Sequence, residues 1–215
     1  MNLLRLGVVG AGLWCLLALG WEFRRAKAFG ERKLFSRTAG DPGAGIRYAF
    51  IQGMAPQAKE SVMLHLPSYL AGMMYHAGMF SAFALLAESL FHWQPPFLAA
   101  WLLGGISLVG AVAGLSLFLK RTIQPHLRGI SNADDFLSNF LGTAFAALAS
   151  CAVWSPGLEQ AWMLEGTALM VYVPLGKIRH CLFFFPTRYH FGAFFGRRGV
   201  FPPTASPSET GKDHA

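Results

Sequence analysis

Three histidines sit where ionisable side chains are scarce. His65 and His76 lie in "MLHLPSYLAGMMYHAGMF" and His180 lies in "VYVPLGKIRHCLFFF", both otherwise apolar stretches. On a helix, eleven residues make about three turns, so His65 and His76 differ by only ~20° of rotation and ~16 Å of rise. Both rings are therefore expected on one face at different depths. A neutral imidazole offers one ring nitrogen to a metal, and two imidazoles brought to one depth from two helices can clamp a haem iron. His65 and His180, each at the same end of its apolar run, have that placement, and Gly72 and Gly78 thin the intervening helix for a porphyrin edge. The alternative for each histidine is a hydrogen bond to a backbone carbonyl or a lipid headgroup.

His76 lacks an evident partner. Eleven and eighteen positions before His180, on the face expected to carry it, stand Leu169 and Trp162, which are not ligands. Met163 and Met170 are nearby in sequence but rotated by ~80–100°, so a second haem would need a methionine or another partner. The remaining histidines carry less. His92 and His126 fall in loops, His190 follows the last apolar run, and His214 lies in the tail. Cys15, Cys151 and Cys181 have no C-x-x-C spacing, so neither a disulfide framework nor an iron–sulfur site is indicated.

The elements that must position these residues are membrane spans. Of 215 residues, 53 % are hydrophobic and 13 % charged, against roughly 25 % charged in a soluble domain. Five runs are long enough to cross ~30 Å of hydrocarbon. They are Leu3 to Trp21, about Leu64 to Phe91, Phe97 to Leu119, about Phe136 to Trp154, and about Ala161 to Phe185. The fold class expected is all-α, a five-transmembrane-helix bundle over residues 1–201, with a cytoplasmic segment 22–63 and a disordered tail 202–215.

Seventeen of the 18 lysines and arginines fall in segment 22–63, loop 120–135 and the end of the fifth span with the tail, leaving Arg5 at the other face. By the positive-inside rule the N-terminus is outside and the C-terminus cytoplasmic. The net charge of +7 thus reads as topology, with no nucleic-acid partner. A cleaved signal peptide would carry charge before its apolar stretch, whereas "EFRRAK" follows it, so the first run is read as a span. No internal repeat or broken-helix pair of the transporter kind is apparent.

Three stretches, in order on these spans, carry a resemblance. "LHLPSYLAGMMYHAGMF" looks like a second span with two histidines, "FLKRTIQPHLRGISNADDFLSN" like a basic third-to-fourth connection, and "PLGKIRHCLF" like the end of a fifth span. Over roughly residues 40–199 the chain resembles the membrane cytochrome b family of the respiratory nitrate reductase gamma subunit. Relatives in that family serve heterodisulfide-reductase-like and sulfite-reductase-associated complexes. The resemblance implies two haem b sites with ligands from the second and fifth spans. His65 and His180 match the pair for the cytoplasmic-side haem and His76 one ligand of the outer haem, whose partner would fall near Trp162, where no histidine stands.

The resemblance further implies electron transfer between quinone and a cytoplasmic iron–sulfur subunit, in a bacterial or archaeal cytoplasmic membrane. Lys177, one turn before His180, and Arg179 are then candidates for a haem propionate or quinone oxygen, or else they reach out to lipid phosphates. Glu88 and Glu165, near the outer ends of their spans, could accept a quinol proton or simply lie at the interface. Asp134 and Asp135 suit the N-terminus of the fourth span. The stretch "GIRYAFIQGMAPQAKESVMLH" reads as an amphipathic or partner-docking segment. A haem-free membrane anchor or assembly subunit is the competing reading.

Overall fold

The computed structural model describes residues 3–30, 35, 37–91, 93 and 96–203. His92, His214 and residues 204–215 of the tail expected to be disordered lie outside the described residues. Within them the chain is helical: α1 (Leu3–Ala28), α2 (Pro42–Phe50), α3 (Glu60–Leu64), α4 (Leu66–Phe91), α5 (Phe97–Ile123), α6 (Pro125–Gly129), α7 (Ala133–Trp154), α8 (Glu159–Tyr172) and α9 (His180–Arg197). Four of these, α1, α4, α5 and α7, are long and apolar enough to cross a membrane. Two compact units form, one from Met1–Arg24 and His65–Arg179, the other from Arg25–Leu64 and His180–Ala215.

The first unit is a bundle in which small residues set helix distance. A Cβ added at Gly78 of α4 would sit 2.5 Å from the Cα of Gly110 on α5, and one at Gly110 would sit 2.5 Å from the Cα of Gly78. The two backbones touch there, and only glycine allows it. Contacts of this kind drive helix association where lipid removes the hydrophobic incentive. Tyr75 fills a second slot between Gly114 of α5 and Gly142 of α7, and its hydroxyl donates to the Asn139 carbonyl at 3.3 Å. Phe145, Trp162, Met163 and Leu169 from α7 and α8 join Leu85 and Leu86 of α4 in the core.

The outside of this unit is apolar. Leu16 and Leu17 are 70 % and 74 % exposed, Leu98 68 % and Val112 61 %. A water-soluble monomer rarely shows so continuous an apolar surface. Helix α1 buries only Val8 and Ala11 and is tied in by polar contacts. Trp14 donates its indole N–H to the Val171 carbonyl at 3.1 Å, and Arg5 lies 3.5 Å from Glu159, which also accepts from the Ser89 hydroxyl at 2.8 Å. The one cation read at the outer face is thus paired.

The fifth predicted span, 161–185, is not one continuous helix. Helix α8 ends at Tyr172, residues 173–176 turn, Lys177–Arg179 make a 3-10 turn, and α9 begins at His180. Pro174 is the cause: it lacks an N–H and its ring crowds the carbonyl four residues back. The Tyr172 carbonyl instead accepts from Leu175 at 2.9 Å and Gly176 at 3.0 Å. The Tyr172 ring lies where a side chain at residue 176 would be, 2.3 Å from an added Cβ, so any larger residue there would have to displace that ring.

In the second unit α2 packs on α9, again through glycine. A Cβ at Gly45 would meet the Gly192 carbonyl at 2.3 Å and the Gly196 Cα at 2.4 Å. The segment read as amphipathic and partner-docking therefore spends its small-residue face on α9. Asp41 caps α2, accepting from Gly43 at 2.8 Å and Ala44 at 3.1 Å. Helix α9 closes with Gly199 at φ +70°, donating to Gly196 at 3.0 Å while Val200 donates to Phe195 at 2.9 Å. This paired closure satisfies the last carbonyls. Phe201 then stacks among Tyr48, Phe191 and Phe195, with ring centroids 4.8–5.4 Å away. Partial burial first, and the neighbouring Arg188 second, hold Lys59 below the usual lysine range.

Candidate functional site

His65 stands at the junction of α3 and α4, where it caps the longer helix. Its carbonyl accepts from Ser68 at 3.0 Å and Tyr69 at 3.1 Å, and Pro67 occupies the first turn, where an N–H has no helical partner anyway. The imidazole lines a cavity of about 450 Å³ whose far wall is the end of α5 and the short α6, a volume in the range of small-molecule sites. Lys120, Arg121, Gln124 and His126 supply that wall and Asn139 of α7 closes it. The basic connection read from sequence thus folds back over His65, and His126, read as a solvated loop residue, shares its cavity.

The cations in this region differ in what holds them. Asp135 is the carboxylate of the cluster, with a side chain 12 % exposed. It takes Lys177 at 2.6 Å and Arg121 at 3.4 Å. Arg121 also donates to the Ser131 hydroxyl at 2.9 Å. Asp135 additionally closes a capping box with Asn132: Asn132 N–H donates to its carboxylate at 2.9 Å, and its own N–H returns to the Asn132 side chain at 3.1 Å. Lys120 has a different partner, the neutral Ser68 hydroxyl, and no carboxylate pairs with it among the described residues.

His76 lies apart, exposed on α4. Its Nδ1 is 2.7 Å from the Gly72 carbonyl. A carbonyl only accepts, so Nδ1 carries a proton; in the neutral ring this leaves the lone pair on Nε2, the tautomer a metal-binding histidine uses. Of the α8 positions considered as its counterparts, Trp162 and Leu169 are 4 % and 0 % exposed in the core around Phe145, Met163 is buried with them, and Met170 is half-buried.

His180 is exposed as the first residue of α9, in the second unit. The break at 173–176 removes the helical phase that related it to Leu169 and Trp162 in the sequence reading. Lys177 is held by Asp135, and Arg179 is exposed. His190 sits edge-on to Tyr189 with centroids 5.5 Å apart. None of the three cysteines forms a disulfide. Among the described residues no three His, Cys, Asp or Glu side chains converge on one point.

The class these features define is an all-helical chain with several helices able to cross a membrane and a basic, histidine-containing cavity at one end of its apolar bundle. Comparison with protein-family models, curated proteins and solved structures finds no match.

Proposed function

We propose that this chain is a membrane-embedded cytochrome b-type subunit that passes electrons between quinone and a cytoplasmic iron–sulfur partner. The observation that carries the reading is His65: an imidazole on the wall of a cavity that also presents Lys120, at the basic end of an apolar bundle. An axial nitrogen and a cation for the propionate edge are what a b-type haem asks of a protein. The donor set on this side fits it. The resemblance read from sequence assigns the second axial nitrogen to His180.

When bound, the haem supplies a one-electron carrier whose potential depends on its axial ligands and surroundings. The chain's own residues do the rest. His65 offers a ring nitrogen from a backbone position held by the first turn of α4. The apolar outer faces of α4 and α5 open to lipid, where quinone dissolves. The concentration of Lys and Arg at one end orients that end toward the cytoplasm, where a soluble iron–sulfur subunit would meet it.

The test is a reduced-minus-oxidised optical spectrum with pyridine haemochrome quantitation, on purified protein and on His65→Ala, His180→Ala and His76→Ala. About one b haem per chain is expected, lost with His65 or His180 and kept without His76. Absence of haem from protein made in haem-replete membranes sinks this reading and leaves the haem-free anchor or assembly subunit.

A further inference from the structure

We infer that Lys120 is the anchor for the carboxylates of the tetrapyrrole, with Arg121 and His126 beside it, and that it sets which way the macrocycle enters the cavity. The inference deepens the haem reading and rests on it. It departs from the sequence expectation, in which Lys177 and Arg179 are the candidates for this task or else reach to lipid phosphates.

The argument begins with charge. Lys177 and Arg121 share one carboxylate, Asp135, at 2.6 Å and 3.4 Å, so the charge of that group is met from within the protein. Lys120 is half-buried and rests on a neutral hydroxyl, that of Ser68. A cation at the wall of a cavity, with its charge unmatched, favours an anionic ligand. Ser68 lies one helical turn from His65, and its N–H donates to the His65 carbonyl at 3.0 Å. The cation and the axial nitrogen are therefore coupled through the first turn of α4. On the haem reading, the ligand that meets both carries a metal and an acid group on one rigid frame, as haem b does. Arg121 retains guanidinium donors beyond those given to Ser131 and Asp135, and His126 lines the same cavity.

The experiment titrates detergent-purified apo-protein with haem b and with its dimethyl ester, in which both carboxylates are blocked, following the Soret band. Wild-type protein is expected to bind the ester ~10-fold or more weakly, the scale of one charge-assisted hydrogen bond. In Lys120→Met the difference between haem and ester should shrink to about threefold or less on that scale, and Lys120→Arg should restore it. Arg128→Met, which removes an exposed cation outside the cavity, should keep the wild-type difference. Equal binding of haem and ester by wild-type protein overturns the inference, as does a difference that survives Lys120→Met, while the haem reading stands. If neither compound binds, the haem reading itself fails, and this inference with it.

Discussion

The two units use one packing device in two settings. In the first, α4 and α5 meet backbone to backbone at Gly78 and Gly110. In the second, α2 and α9 meet in the same manner at Gly45, Gly192 and Gly196. What surrounds the contact differs. The first unit clothes it in exposed leucine, valine and isoleucine and keeps its own polar ties away from it, at the ends of α7 and α8. The second fastens it with polar ends: the Asp41 cap, the Gly199 closure, and Ala39 and Gly40 N–H groups on the Arg197 carbonyl at 2.8 and 3.0 Å. Close approach brings helices together in both. Where water reaches the helix ends their orphan groups need partners, and where lipid surrounds a helix its middle needs none.

The largest effect should come from filling these contacts. Gly78→Ala places a Cβ against the Gly110 backbone and should cost about 3 kcal/mol, at the upper end for overpacking, despite the helix-forming gain of alanine. A thermal melt in detergent reads it. Gly45→Ala meets backbone just as closely, but its damage should stay in the second unit, appearing as faster proteolysis within residues 25–64 with little change in bundle melting. Equal global loss from both would break the comparison.

Next comes the hub at the start of α7. Asp135→Ala removes a capping carboxylate and the partner of two cations, and should lower stability by about 2 kcal/mol, whereas no single acid in the second unit should match it. Smaller is Tyr75→Phe, which keeps the ring in its glycine slot and loses one hydrogen bond, about 1 kcal/mol. A loss much above that would mean the slot is held by the hydroxyl rather than by shape.

The smallest effect, and the one with a pH signature, is Lys59→Met. Burial and Arg188 disfavour the charged lysine in the folded chain, lowering its pKa. Charged Lys59 thus works against folding below that lowered pKa, and the penalty fades as pH rises through it. The methionine variant should be slightly more stable at neutral pH, by no more than about 0.5 kcal/mol, with the advantage vanishing in alkali. Melts at both pH values check it.

Much of this arrangement is legible in the sequence. The second to fourth predicted spans coincide with α4, α5 and α7 to within four residues, because long apolar runs leave the backbone no other way to satisfy itself. The fit of Asp135 to the start of α7 was also readable. The fifth predicted span is interrupted rather than continuous: hydrophobicity continues through 173–176 while the helix stops at Pro174, leaving two helices that together are long and apolar enough for one broken span. The helical phase therefore does not carry from Trp162 to His180 across that turn. The cavity beside His65 is not legible in the sequence, which places Lys120 and His126 on a connection, whereas α5 runs on through Lys120 and α6 carries His126. The α2–α9 contact did leave a trace, the four-residue spacing of Gly192 and Gly196.

The ion pair between Lys177 and Asp135 spans 42 residues and joins the first turn of α7 to the turn just beyond α8. It ties the two open ends of this helical hairpin together, so α7 and α8 cannot splay there without parting a carboxylate from its cation.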